Sequence, residues 1–387
     1  MAAPRSAQRG IEAALGLAWL SQSGCHAVLR MLEQEGPEAI WWASRRRLLE
    51  WGMAPSAVMG FEEKRRRFPV EEAEALLTRT GVRFLPYGSE YYPVELGHLR
   101  FPPAGLFVRA AEGALECLLA APRVTIVGTR KATAYGLRTA EAFASAFAAR
   151  AVAVVSGMAL GVDGRAHQAA LETGGLTVAV LGCGADLVYP RRHRWLYEKI
   201  AEGGIILSEL PPGTAPARWT FPHRNRLLAA LGDSAVVVEA SRTSGALQTA
   251  NWALELGRPV FAVPGPINTD GHQGCNMLLY DGAIPALDPC VTVEDFLLQT
   301  RIERRQRRAT DDTRRPQRGG EAERYPLRGV VAGGEGILEA LDSGPSSVDG
   351  LMSRTGLTAR AITAALAELE LGGFAMRAGP GIYIRAP

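Results

Sequence analysis

The sequence predicts an α/β protein built on a parallel sheet, and three of its features say so. Apolar runs of three or four residues recur: Val124–Val127, Ala153–Val155, Val178–Leu181 and Ala235–Val238. Each stops at a turn of small residues: Gly128-Thr129-Arg130, Ser156-Gly157-Met158-Ala159, Gly182-Cys183-Gly184, and Glu239 followed by Ser244-Gly245. A stretch with helical spacing follows each turn. In such sheets the ligand sits outside the carboxyl ends of the strands, where small residues let backbone amides approach a phosphate.

The elements follow in order. Residues 1–68 read as helices only. Ile11, Ala14, Leu15, Leu17 and Ala18 share a helical face, as do Val28, Leu29, Met31 and Leu32, and Trp41, Trp42 and Trp51 add bulk. A glycine-rich hairpin for backbone contacts is weak there, Leu20–Gly24 being the nearest candidate, so a structural or protein-docking role is favoured over DNA contact. The main α/β domain is expected over 69–299, with its core at 123–296. It starts with a connecting region carrying a strand at Val82–Pro86, broken by Pro93, Pro102 and Pro103 and packed on the edge of the core. Further strands are expected at Gly204–Leu207, Pro259–Val263 and around Ala283-Ile284.

Arg301–Arg308 opens a charged, disordered linker over 300–330. In 331–387, helices are expected at Glu335–Leu341 and Ser347–Arg354. Gly356 ends the second, and Thr358 caps a third that runs to Leu371. A hairpin through Phe374–Arg377 and Ile382–Arg385 completes what resembles a winged helix. The outer face of the third helix, Arg360, Thr363, Ala364, Ala367, Glu368 and Glu370, is small and partly acidic. Base reading, weak DNA contact through Arg377 and Arg385, and a protein-binding role all stay open.

Composition excludes several classes. A net charge of +3 over 387 residues is too mild to establish nucleic-acid binding, and the near-exclusive use of arginine over lysine fits phosphate recognition and codon bias alike. The five cysteines are scattered and free of CxxC spacing, which indicates neither a disulfide framework nor a zinc site. With no run of about 18 apolar residues and no signal-peptide pattern, a soluble cytoplasmic protein without membrane contact is expected.

Four groups of residues carry chemistry. Gly128-Thr129-Arg130 is too short for the dinucleotide fingerprint, which disfavours NAD, yet a helix from about Gly136 offers free amides and Arg130 a fixed cation. Asp163 and His167 stand one turn apart. General acid/base work and helix capping are both open, with capping favoured because no nucleophile is placed beside them. Phe221-Pro222-His223-Arg224-Asn225-Arg226 combines stacking, amide and guanidinium groups, the mixture wanted for phosphates and bases. Ser244-Gly245 opens a further helix. No cofactor and no metal is expected.

Taken together, Val127–Arg130, Ser156–Asp163 with His167, Gly184–Pro190, Ser208-Glu209, Phe221 with Arg224–Arg226, and Val263–Gly265 resemble the DprA/Smf family of DNA-processing proteins over residues 93–286. The resemblance implies an extended Rossmann-like sheet between an N-terminal SAM-like helical module and a C-terminal winged helix. It also implies a homodimer, not an enzyme, that binds and protects incoming single-stranded DNA in natural transformation and loads the RecA recombinase. Other transformation proteins are candidate partners of the winged helix. Gly128, Thr129, Arg130, Ser156, Gly157, Phe221, Arg224, Asn225 and Arg226 would then line the single-strand site, with Ser244 and Gly245 beside them. Two alternatives stand: a nucleotide N-glycosidic hydrolase of the lysine-decarboxylase-like fold, in which Ser244-Gly245 lacks the tight Gly-Gly phosphate turn, and a nucleotide-sensing regulator.

Overall fold

The computed structural model describes residues 5–21 and 29–300, then 337, 340–341, 346–359, 361–363, 365–366, 375–379 and 382–385. The chain divides into two compact units, Met1–Thr313 and Arg314–Pro387.

In the first unit, α1 (Arg5–Ser21), α2 (Leu32–Trp41), α3 (Arg45–Glu50), α4 (Pro55–Arg66) and α5 (Val70–Thr80) precede the sheet. They pack through an aromatic cluster. Trp41 lies edge-on to Phe61 and Phe68, and Trp19 reaches Phe107 of the sheet at 6.2 Å, so the helices share a core with it. Gly16 makes this possible: a Cβ there would fall 2.4 Å from the Trp41 ring.

The sheet follows as β1 (Arg83–Pro86), α6 (Val94–Gly97), β2 (Gly105–Ala110), α7 (Ala114–Ala120), β3 (Arg123–Val127), α8 (Ala134–Ala149), β4 (Ala153–Ser156), α9 (Val162–Glu172), β5 (Thr177–Leu181), α10 (Arg194–Gly203), β6 (Ile205–Ser208), α11 (Thr220–Leu231), β7 (Ser234–Val237), α12 (Ala246–Glu255), β8 (Val260–Ala262), α13 (Asp270–Tyr280) and β9 (Ile284–Pro285). Its order is β1-β2-β6-β5-β4-β3-β7-β8-β9, and the run from β6 to β9 is parallel throughout. Strands β3 to β7 are buried along their whole length under helices on both faces, which is why they read as unbroken apolar runs.

The expected strands are present with ends shifted by a residue or two. Elements not expected in the connecting region are helices α5, α6 and α7, and strand β2, which pairs antiparallel with both β1 and β6 and so carries β1 onto the sheet edge. Strand order reverses between β3 and β7, neighbours in space that are 110 residues apart in register (Val124 opposite Ser234). A doubly wound sheet opens its ligand crevice at that point.

In the second unit, β10 (Ser346–Ser347), α14 (Val348–Thr355), β11 (Ala375–Gly379) and β12 (Ile382–Arg385) surround a small core of Ile337, Leu341, Leu351, Ile362, Leu366 and Tyr383. Ser347 caps α14 by accepting from Gly350 N, Gly356 ends it at φ 70°, and Thr358 accepts from Ala361 N. The strands form an antiparallel sheet in the order β10-β12-β11. The linker expected at 300–330, Thr300 apart, lies outside the described residues, as do Leu20–Gly24 beyond Ser21, Arg360, Ala364, Ala367, Glu368, Glu370 and the side chains of Arg377 and Arg385.

Candidate functional site

A cleft of about 690 Å³ opens at the strand-order reversal. The turn after β3 supplies Gly128, Thr129, Arg130 and Lys131; α11 supplies Phe221, Arg224 and Asn225; the turn after β7 and the start of α12 supply Ser244, Gly245, Gln248 and Thr249. Arg218 and Tyr189 complete the rim. Four cationic side chains, Arg130, Lys131, Arg218 and Arg224, face one carboxylate, Asp163. A narrow recess of about 70 Å³ adjoins it, where Gly157 meets Tyr189, Phe221 and Arg224.

Phe221 is the aromatic platform of the cleft. Arg130 lies over its ring at 5.2 Å, and Tyr189 packs against it at 5.4 Å with the rings tilted by 35°. Gly182 gives the ring room, since a Cβ there would fall 2.9 Å from Phe221. Helix α11 holds Phe221, Arg224, Asn225 and Leu228 on one side, because residues three, four and seven apart align on a helix.

Arg224 is buried beneath this platform. Its guanidinium donates to Gly157 O at 2.9 Å and to Val180 O, and burial brings its pKa down to about 10 despite nearby Asp163. Gly157 is required there, for a Cβ would sit 2.6 Å from Arg224 and 2.7 Å from Asp163. Arg224 therefore braces the β4 and β5 strand ends against α11. Asn225 reaches Gly245 O and Gln248 at the far wall.

Two residues of the expected set lie elsewhere. Ser156 is fully buried and its hydroxyl donates to Ile126 O at 2.6 Å, tying β4 to β3. Arg226 points away from the cleft, about 200° around the helix from Arg224. It donates to the buried carboxylate of Glu209 at 2.6 Å. Burial pushes the Glu209 carboxyl up, but the Arg226 charge, with help from His223, outweighs it and holds the pKa at about 2.

The strand-end amides are also used differently from the expectation. The N-terminus of α8, read as open to a phosphate, is taken by the chain itself: Thr133 caps it, accepting from Gly136 N, and the Glu239 carboxylate accepts from Thr133 N and Thr133 Oγ1. Asp163 accepts from Ala159 N and draws on the amides of Gly157 and Gly128, while burial raises its pKa. It thus serves the loops before α9 and does not pair with His167. The Thr177 hydroxyl donates to Val154 O and accepts from His167 Nδ1, and burial lowers the His167 pKa to about 3. Met158, between these loops, holds a φ of 57°, a backbone strain of the sort concentrated at functional sites.

The sequence reading missed Lys131, Tyr189, Arg218 and Gln248. Lys131 follows the Gly-Thr-Arg turn directly, and Tyr189 ends the Gly184–Pro190 motif, so their places along the chain were the available signal. Arg218 and Gln248 carry no local signal. Among the described residues there is no grouping of His, Cys, Asp and Glu that could hold a metal, and no helix long and apolar enough to cross a membrane.

Comparison with known proteins agrees with this architecture. The profile for DNA recombination-mediator protein A matches residues 83–297, and that for the DprA winged helix domain matches residues 329–381. Protein Smf of Escherichia coli is 35% identical over 320 residues, 82% of this chain and 81% of its own. The putative DNA processing protein DprA of Mycobacterium tuberculosis is 47% identical over 218 residues, a match that spans 54% of this chain and only 56% of that relative. The X-ray structure of DNA processing protein A from Streptococcus pneumoniae shares a TM-score of 0.61 and 30% identity, covering 71% of this chain and 93% of its own. The Helicobacter pylori protein, whose structure was described for its single-stranded DNA binding mode, shares a TM-score of 0.51 and 28% identity over 57% of this chain and 98% of its own. The chain belongs to the DNA recombination-mediator protein A family, the DprA/Smf proteins.

Proposed function

We propose that this protein binds single-stranded DNA in the cleft between β3 and β7, without sequence preference, and acts in DNA processing. The observation that carries this reading is the Arg130–Phe221–Tyr189 stack between exposed Lys131 and Arg218. Cations that track a backbone beside aromatic faces that accept any base are what a sequence-tolerant single-strand site needs. The single-strand binding described for the Helicobacter pylori relative supports it. Gly128, Thr129, Arg130, Gly157, Phe221, Arg224, Asn225, Ser244 and Gly245 form the proposed contact set. Ser156 and Arg226 belong to its frame.

From the family, the further proposal is a cytoplasmic homodimer, not an enzyme, that protects the strand during transformation and hands it to RecA. The β8–β9 edge supports self-association, for Ile267, Tyr280 and Leu287 there are 81%, 86% and 76% exposed. The partition at 68, 300 and 330 is likewise proposed, and limited proteolysis with mass analysis of the fragments tests it.

Titration of labelled oligothymidylate at several salt concentrations tests the main proposal. Contacts from Arg130, Lys131 and Arg218 to three phosphates give a log–log slope of about −2, and Arg130→Ala flattens it by about 0.7 on every sequence tried. Binding indifferent to salt would sink the proposal.

A further inference from the structure

The helix after the switch-point strand of a doubly wound sheet ordinarily offers its first amides to a ligand phosphate. Here that helix is α8, and the anion at its N-terminus is part of the chain. Oε2 of Glu239 lies 3.0 Å from Thr133 N and 2.9 Å from Thr133 Oγ1. A Cβ on Gly136 would fall 1.8 Å from that oxygen, so glycine in the first turn of α8 is what lets the carboxylate reach the helix end. A Cβ on Gly271, in the first turn of α13, would fall 3.0 Å from Oε1. The carboxylate therefore lies between the first turns of two helices, and Glu239 is 1% exposed. Its carbonyl accepts from Thr129 N at 2.7 Å, which fixes the Gly-Thr-Arg turn to the end of β7.

We propose that Glu239 is a specificity-determining residue that keeps free nucleotides out of the cleft, its carboxylate filling the helix end on which a terminal phosphate would sit. This rests on the reading of the cleft as a single-strand site. A nucleoside diphosphate concentrates its charge at one end and gains most from a single dense cluster of donors. With that cluster filled, and a negative charge left on it, the remaining attraction comes from Arg130, Lys131 and Arg218, which are spread along the rim. One diphosphate reaches only part of that spread. A polymer with a phosphate at every nucleotide reaches all of it, so strand length sets affinity and a terminal phosphate adds little.

The test compares wild type, Glu239→Gln and Glu239→Ala. ADP binding is followed by calorimetry, oligothymidylate binding by fluorescence anisotropy, and folding by thermal melting. Wild type is expected to bind oligothymidylate and to leave millimolar ADP unbound. Folded Glu239→Ala is expected to gain ADP affinity several-fold, up to about ten-fold, the scale of a freed helix N-terminus, with ADP then competing with the oligonucleotide; Glu239→Gln, which removes the charge but still fills the helix end, is expected to gain less. Unchanged ADP affinity in folded Glu239→Ala overturns the proposal. So does micromolar ADP binding by wild type, a result that needs no variant to fold. Failure of wild type to bind oligothymidylate overturns the single-strand reading instead, while the ADP comparison still decides the role of Glu239.

Discussion

Arg130 and Arg226 carry the same charge in different settings, one over the Phe221 ring in the cleft and one paired with buried Glu209, and their replacement should fail in opposite ways. Arg226→Met removes the cation from a pair in which both partners are nearly sealed from water, at 4% exposure each. Against burial, Arg226 with help from His223 holds the Glu209 carboxyl at about 2 against an ordinary 4.5, a net difference on the order of 3 kcal/mol. Stranding one member of a buried pair typically costs about 3–5 kcal/mol, so the two figures agree in scale. Because the Glu209 pKa is depressed on folding, this stabilisation is complete above the unfolded value of 4.5 and fades as the pH falls toward 2. The gap in unfolding free energy between wild type and Arg226→Met should therefore be widest near neutral pH and narrow in acid. Urea denaturation from pH 7 to 3 measures it. Arg130→Ala should leave those curves in place and weaken oligothymidylate binding at temperatures where both proteins are folded. If Arg226→Met instead keeps its stability and loses binding as Arg130→Ala does, the assignment of Arg226 to the frame is refuted.

Other expectations concern the rest of the first unit. His167 is buried with its pKa lowered to about 3 from 6.5, so the unfolded chain takes up a proton that the folded one refuses, and stability is lost as the pH falls through that window. The loss should reach about 2 kcal/mol between pH 6.5 and 5; a folded His167→Gln variant that keeps the full pH dependence of the urea midpoint would show that another group is responsible. Gly16→Ala should lower the melting temperature, since the new methyl meets the Trp41 ring at 2.4 Å and the ring is hemmed in by Phe61 and Phe68. Overpacking of this kind costs about 1–3 kcal/mol, and an unchanged melt would mean that α1 and α2 separate freely.

The strands of the parallel run were legible because burial on both faces removes polar residues, leaving apolar runs between small-residue turns. Strand β2 was not, for Gly105–Ala110 follows two prolines that read as a break, and its partners β1 and β6 are chosen by tertiary packing. The cleft was legible in its turns and in Phe221, Arg224 and Asn225. Arg226 was misplaced because the hexapeptide was read as a flat cluster. Laid on a helix, residues 221, 224, 225 and 228 align and 226 falls on the other side, a distinction already present in the numbering. Asp163 accepts nearby amides, as the favoured capping reading had it; the use of the α8 end by Glu239 was beyond local reading, since Glu239 lies 106 residues from the threonine that it engages.

The reversal of strand order between β3 and β7 also dictates when the cleft comes into being during synthesis. Strands β3 to β6 can pair as they emerge, but β3 keeps one side bare until residue 234 has been made. Pairings of such long sequence separation form slowly, and an open central strand is a template for the wrong partner. A nascent chain stopped before β7 therefore carries six of the nine strands with the sticky side of β3 outward, and has neither Glu239 to order the Gly-Thr-Arg turn nor α12 to wall the crevice. The cleft is among the last parts of the first unit to exist.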